Sequence, residues 1–382
     1  MRILFVILRV LAGLIFVFSG IVKGVDPWGS GIKLEDYFLA FGWDWMLPFA
    51  YFLGSLLNAA EFLIGFCLIF GIRVKLASLG ALIFMLVFTP LTLYLALKNP
   101  VTDCGCFGDA IIMTNWETFY KNLIIFSIVI FVFIRRKHYK PWMSIKAEWV
   151  GALAGLLIIT GISWYSYQYL PFLDFRPYKV GNHLPSLMQI PEGMPADQYE
   201  QFITLQDTVT GKNIEVTVDA YSNDSTYWGG GTIYKYISIS EPRLIKKGYQ
   251  PPIHDLTIVS VADGMDITDE VLQDSSYSFL MISYKFSKAA PCHLDEFEEI
   301  ANFASSKGYR FICMTSSADE EIEEFTSLYK PVYPIYLTDE ITLKTIIRSN
   351  PGLVLLKGGV VKAKWSHNAL PSVEKLENKI LK

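Results

Sequence analysis

Two cysteines one residue apart, Cys104 and Cys106, sit in the short polar loop Asp103-Cys104-Gly105-Cys106-Phe107-Gly108-Asp109, between two long apolar segments. A disulfide closed across one residue departs from the relaxed Cβ–S–S–Cβ arrangement, so it is comparatively reducible and suits electron exchange better than stapling. Three chemistries are open to the pair: redox exchange, metal binding, and a structural turn in which Gly105 and Gly108 supply tight backbone conformations. Against metal binding, none of the five histidines is near in sequence and no second cysteine pair completes a tetrahedral site. Asp103 and Asp109 flank the pair, and nearby negative charge raises a thiol's pKa, which predicts a pair that cycles from its oxidised side. Glu61 is the other chemically conspicuous residue, because an unpaired carboxylate within an apolar stretch of this length costs several kcal/mol in a membrane. It must face a helical interior, either as a proton carrier beside a redox centre or as a protonated or Arg9-paired core residue. Cys67 on the same stretch reads as packing, and Cys313 as a core residue of a strand.

The elements that must position these residues are apolar and long. The 382-residue chain is 52% hydrophobic and 18% charged, with a mean hydropathy of +0.33, too apolar for a soluble protein of this size. The excess is concentrated in the first 170 residues, where stretches 3–22, 49–70, 74–97, 119–134 and 149–170 can each cross a hydrocarbon core of about 30 Å. The first lacks a small-x-small cleavage site before the polar stretch 23–27, and further spans come after it, so it reads as an uncleaved helix. Trp28, Trp43, Trp45, Trp116, Trp142 and Trp149 lie near the proposed membrane borders, as interfacial anchors do. Arg73 and Lys75, and then Arg135, Arg136, Lys137, Lys140 and Lys146, make alternate loops basic, whereas the intervening loops are acidic. The positive-inside rule therefore predicts a cytoplasmic N-terminus in a bacterial inner membrane, with the cysteine loop and everything after residue 171 outside. Disulfides persist in that compartment.

Arg9, Gly13, Ser19-Gly20, Lys23 and Asp26-Pro27, followed by Glu61, Gly65, Gly71 and Arg73, resemble the DoxX-like four-helix membrane family. The C-G-C-F-G-D loop narrows the resemblance to the MauE branch, membrane proteins associated with methylamine utilisation and with disulfide formation in extracytoplasmic partners. The resemblance implies a four-helix bundle over residues 1–140 with the cysteine loop after the third span. A fifth span, within 141–171, would then tether the C-terminal half of the chain.

Residues 172–250 read as a proline-rich linker and a β-rich insert, with strands near 199–207, 213–220 and 233–239. Gly229-Gly230-Gly231 is a loop; no P-loop lysine follows in register. From residue 251 strands and helices alternate, with strands near 256–261, 277–284, 309–314, 332–337, 353–357 and 360–365 and helices near 294–306, 319–329, 340–347 and 372–381, predicting an α/β sheet domain over 251–382. This domain resembles the thioredoxin fold, especially its TlpA-like branch. Residues 281–292 fall where that family runs from a strand into its C-x-x-C helix, and Asn350-Pro351 falls where it keeps a cis-proline, so the resemblance implies a peptide groove at Pro351. Ala289 stands where the attacking cysteine should be, which leaves Cys292 alone, either in a mixed-disulfide role or as inert packing.

Two functions fit these residues. In one, the protein is a membrane-bound, extracytoplasmic thiol-disulfide redox protein whose C-x-C loop exchanges electrons with a quinone-type acceptor and a partner disulfide, using Cys104, Cys106 and, in support, Cys292 and Glu61. In the other, it is a non-catalytic assembly or binding factor that tethers a client at the membrane through a redox-dead thioredoxin-like domain. A transporter reading rests on Glu61 alone. The expected partners are the bilayer and a protein client; the mildly acidic chain, with its basic runs beside the membrane, carries no nucleic-acid signature.

Overall fold

The computed structural model describes residues 1–101, 103–290 and 293–380. The N-terminal region is helical. Helix α1 (Arg2–Val25) is followed at once by α2 (Pro27–Ala40), because Asp26 accepts the Gly29 N–H at 2.9 Å and Pro27 takes the first helical position, where its missing N–H costs nothing. Then come α3 (Ala50–Phe70), closed by Gly71 in the left-handed conformation, and α4 (Val74–Lys98), closed by Asn99 in the same conformation. Helix α5 (Asn115–Arg135) opens with a reciprocal capping box between Thr114 and Glu117, and α6 (Ile145–Gln168) opens on the Ser144 hydroxyl. Five helical runs are long and apolar enough to cross a membrane: Arg2–Val25, Asp44–Phe70, Val74–Lys98, Asn115–His138 and Ile145–Gln168.

Small residues set the closest packing. A side chain at Gly20 would put its Cβ 2.6 Å from the Phe62 backbone nitrogen, and one at Gly65 would lie 2.6 Å from the Gly13 carbonyl, so α1 and α3 touch backbone to backbone. Helix α4 packs on α5. Helix α6 lies against α3 and α1, with Gly155 under Phe66 and Ile159 against Gly24, and is therefore part of the bundle as well as a connection.

Residues His183–Asp255 form a separate compact unit. It contains the short helix α7 (Leu184–Met188), a two-stranded pair of β1 (Gln198–Glu200) with β5 (Arg243–Lys246), and an antiparallel sheet in which β2 (Phe202–Asp207) lies between β3 (Asn213–Thr217) and β4 (Tyr234–Ile239). The strand expected over 213–220 stops at Thr217, whose hydroxyl caps helix α8 (Val218–Asn223) by accepting the Ala220 N–H at 3.1 Å.

The C-terminal region belongs to the same compact unit as the bundle. Its six-stranded sheet combines β6 (Val259–Ser260), β7 (Tyr277–Ile282), β8 (Arg310–Thr315), β9 (Ile335–Leu337), β10 (Gly352–Lys357) and β11 (Val360–Ser366) in the order β11-β10-β7-β8-β9-β6. Strands β7, β8 and β9 run parallel, and β10, β11 and β6 are antiparallel to their neighbours. Helices α9 (Thr268–Gln273), α10 (Leu294–Ser306), α11 (Asp319–Tyr329) and α12 (Glu340–Ile346) connect the strands, and α13 (Val373–Lys375) runs on into a π turn. Both faces of β7 are buried, so it reads as a continuous apolar run, with Phe279 and Met281 packed on Phe297 and Ile300 of α10. Gly358 and Gly359 turn β10 into β11 with φ of 54° and 68°, values that favour glycine.

Candidate functional site

The cysteine loop is held by three helices and by bonds of its own. At its start Asn115, the first residue of α5, donates through Nδ2 to the Asn99 side-chain oxygen at 2.8 Å and to the Val101 carbonyl at 2.9 Å. From α2, Tyr37 donates to the Cys104 carbonyl at 2.9 Å, and Lys33 reaches Asp103 at 3.1 Å. From α1, Ser19 donates to the Cys106 carbonyl at 2.5 Å. Within the loop Asp103 accepts the Gly105 N–H at 2.8 Å, and the Gly108 N–H closes a turn on the Gly105 carbonyl at 3.1 Å. Gly105 and Gly108 have φ of 65° and 51°, so both positions need glycine. These contacts bring the Cys104 and Cys106 sulfurs to 3.0 Å, with Cys104 buried against Tyr37, Leu95 and Val101 and Cys106 half-buried.

The two thiols are electrically unequal. The hydrogen bond from Cys104 holds Cys106 down to about 6 against the opposing effect of burial, with help from the Lys121 and Lys23 ammonium groups. The same hydrogen bond, together with burial, pushes Cys104 up. For Cys106 this runs against the expectation from Asp103 and Asp109, whereas Cys104 is pushed up as expected, though by its hydrogen bond and burial rather than by those carboxylates. Asp103 is engaged by Lys33, and Asp109 lies 3.3 Å from the Arg348 guanidinium. Lysines from the helices, rather than the flanking carboxylates, set the charge around Cys106.

Glu61 faces the interior, as expected, but its partner is not Arg9. The Lys23 ammonium lies 2.5 Å from the Glu61 carboxylate, with side chains only 18% and 8% exposed. Arg9 is buried at the other end of α1, its guanidinium 5.2 Å from the Tyr139 ring. The reason is register: α1 and α3 touch at Gly13 with Gly65 and at Gly20 with Phe62, which puts Glu61 level with Lys23. The small residues at 13, 20 and 65 were the available signal, since antiparallel helices in contact there cannot bring Glu61 to Arg9.

Cys104, Cys106, Lys23 and Glu61 line one small cavity of about 60 Å³ between α1, α3, α4 and α5. Its remaining walls include Phe16, Phe84, Phe88 and Phe107, and Lys121 sits at its edge, 4.2 Å from the Phe107 ring centre. The structure therefore gathers three of the residues singled out in the sequence, Cys104, Cys106 and Glu61. Among the described residues no group of three or more His, Cys, Asp or Glu is arranged to hold a metal ion.

Beside the loop lies Arg348, which the sequence did not mark. It is 7% exposed, and its Nε and Nη2 make three contacts of 3.0–3.1 Å with the Asp26 carboxylate while Nη2 also reaches Asp109. Burial pushes Asp26 up, but Arg348 and then Arg176 outweigh it and leave the carboxyl below its ordinary range. Lys344, one turn back on α12, lies 3.9 Å from Glu35 of α2. One guanidinium thus joins the α/β region, the cap of α2 and the cysteine loop.

Three residues beyond Arg348 the Asn350–Pro351 peptide is cis, and Pro351 is buried. The Ala290 N–H donates to the Asn350 carbonyl at 3.1 Å, and Ser283 donates to the Asn350 side-chain oxygen at 3.1 Å. The segment carrying Ala289 therefore passes directly beside the cis peptide. Cys292 lies outside the described residues. Cys67 is buried within α3, and Cys313 is fully buried in β8.

Residues 1–135 match a protein family described as methylamine utilisation protein MauE. No curated protein matches the chain.

Proposed function

We propose that this multi-pass membrane protein carries out thiol-disulfide redox chemistry at the Cys104–Cys106 pair, outside the cytoplasm, passing electrons from a partner protein's dithiol to a quinone-type acceptor in the bilayer. The observation that carries the reading is the pair itself: two free sulfurs 3.0 Å apart, one held near pKa 6 and one pushed up, inside a loop pinned by three helices. Unequal thiols suit exchange, because the sulfur with the lower pKa is the better leaving group. In the oxidised protein a partner thiolate attacks Cys104 and breaks the bond to Cys106, which leaves as a thiolate. The partner's second thiolate then displaces Cys104, and the partner departs as a disulfide, two electrons poorer.

The match of residues 1–135 to the MauE family supports a role at a membrane, and the basic loops after α3 and α5 support the orientation. The parallel β7–β8 pair continued by antiparallel β10 and β11, together with the cis peptide at Pro351, supports reading the α/β region as thioredoxin-like. Ala289 favours a second role for that region, a docking module that presents a client to the loop rather than a second redox centre.

Thiol trapping in intact cells tests the proposal. With a membrane-impermeant maleimide, Cys104 and Cys106 are expected to be protected as a disulfide and to become labelled when quinone is depleted. Equal labelling under both conditions refutes turnover with quinone. A Cys292→Ser variant that keeps full function then assigns the α/β region to docking.

A further inference from the structure

Resting on that redox reading, we infer that Tyr37 is a catalytic residue of the exchange: its hydroxyl, which bonds the Cys104 carbonyl in the resting loop, turns to the Cys104 sulfur when that sulfur is displaced as a thiolate. The geometry allows this without moving a heavy atom. Tyr37 is 8% exposed, and its ring lies against Phe41 one turn on, at 6.3 Å between centres and 11° between planes. Lys33, one turn back on the same face of α2, ties that face to Asp103 at 3.1 Å. The hydroxyl donates to the Cys104 carbonyl at 2.9 Å and also lies within hydrogen-bonding reach of the Cys104 sulfur. A hydroxyl proton rotates to suit its acceptor, so one fixed oxygen serves either. Burial pushes the phenol up, and it keeps its proton at neutral pH.

The second half of the exchange is where such a donor acts. Cys106 leaves first, half-buried and beside the Lys121 and Lys23 ammonium groups. Cys104 leaves second, at 8% exposure, when the neighbouring Cys106 is already negative. An ionised sulfur in an apolar site is strongly disfavoured without a hydrogen bond, and a like charge beside it disfavours it further. Among the described residues packed round Cys104, Leu34, Phe41, Leu91, Leu95 and Val101 are hydrocarbon, and Tyr37 carries the hydroxyl. The bond to Cys106 and burial push the Cys104 thiol up, and the bond from Tyr37 is the largest influence acting the other way. The step balances. The partner's second thiolate attacks the partner sulfur of the mixed disulfide, the partner's own disulfide forms, and the bond to Cys104 breaks with its electron pair on Cys104. Tyr37 gives that pair a hydrogen bond and keeps its proton. Of the two protons that the partner dithiol releases, one ends on Cys104 and the other goes to water, while Cys106 remains a thiolate.

The test uses the full-length protein in lipid nanodiscs, oxidised and then mixed with glutathione. Acid-quenched samples resolved by mass spectrometry give the first step as the appearance of a glutathione adduct on Cys104, and the second as the appearance of oxidised glutathione with the reduced pair. Tyr37→Phe is expected to leave the first step within about twofold and to slow the second about tenfold or more, the scale of a hydrogen bond to a charged group, so that the Cys104 adduct accumulates. Equal slowing of both steps, or of neither, overturns the catalytic role and leaves Tyr37 as a support for the loop carbonyl. A second measurement reads the sulfur directly: in Cys106→Ala protein, Tyr37→Phe should raise the midpoint of Cys104 alkylation by about one unit, a shift that loss of the carbonyl bond does not produce. An unmoved midpoint overturns the contact. A glutathione adduct on Cys106 sinks the role of Tyr37 while leaving the redox reading in place; a wild-type pair that never forms a disulfide reducible by glutathione sinks the redox reading itself, and the role of Tyr37 with it.

Discussion

The depressed pKa of Cys106 can be checked without knowing any partner. At about 6, roughly nine in ten Cys106 thiols are ionised at pH 7, against about three in a hundred for an unperturbed cysteine near 8.5, a ratio of about thirty. The gain in rate is much smaller. Nucleophilicity falls with pKa at a Brønsted slope of about 0.4–0.5, and across 2.5 units this removes a factor of about thirteen, leaving about a twofold advantage at neutral pH. Half-burial reduces it further. The informative quantity is therefore the midpoint of the alkylation profile, not the rate at one pH. Iodoacetamide pulses between pH 4 and 10, with tandem mass spectrometry separating Cys104 from Cys106, should give a Cys106 midpoint near 6. Because the Cys104 hydrogen bond is the largest effect lowering it, Cys104→Ala should move the midpoint up by more than about one unit and Cys104→Ser by less. Lys121→Met should move it up by a smaller, salt-dependent amount. A wild-type midpoint between 8 and 9, or a midpoint indifferent to Cys104→Ala, would refute the account of the pair.

Arg348→Met should destabilise the protein by about 3 kcal/mol in denaturant unfolding, as breakage of a buried pair does. In double-mutant cycles it should couple strongly to Asp26→Asn and by about 1 kcal/mol or less to Asp109→Asn, whose side chain is 44% exposed; equal couplings would contradict the geometry. The pH dependence has a definite sign. The folded Asp26 carboxyl lies below its unfolded value of 3.8, so its stabilisation is complete above that value and is lost as pH falls through the folded one; the destabilisation caused by Arg348→Met should therefore be greatest near neutral pH and shrink on acidification through that range. Gly20→Leu, with a Cβ 2.6 Å from the Phe62 backbone, should cost at least about 2 kcal/mol in the same assay, whereas Gly161→Leu, with nothing within 4 Å, should be near neutral.

What the sequence made legible depended on whether one element could be read alone. The apolar stretches and the α/β alternation mark themselves by composition and period, and the expected long helices and the sheet strands 277–282, 310–315, 352–357 and 360–366 fall within a few residues of expectation, whereas the short elements α7, β5 and α9 were not anticipated. Thr217 ended a strand early by capping α8, and Asp26 with Pro27 started α2 in a segment read only as an interhelical loop. The cysteine pair and Glu61 were visible because their side chains are anomalous for their surroundings. Their partners were not: Lys23, Tyr37, Lys121 and Arg348 become meaningful only once helices are set side by side. The error over Arg9 has the same origin. Charge complementarity alone offers Arg9 and Lys23 equally, and only the interhelical register decides. Asp103 and Asp109 misled for a related reason, since adjacency in sequence said nothing of the cations that α2 and the α/β region bring to them.

The place of Arg348 also bears on modularity. A polypeptide consisting of the bundle alone would hold Asp26 and Asp109 side by side with no guanidinium between them, one capping α2 and the other in the cysteine loop. Such a truncated molecule has two ways out: one carboxyl keeps its proton, or a separate subunit inserts a cation from outside. Fusing the α/β region to the bundle converts that second subunit's arginine into a covalently delivered one, always present at the loop and in fixed proportion to it.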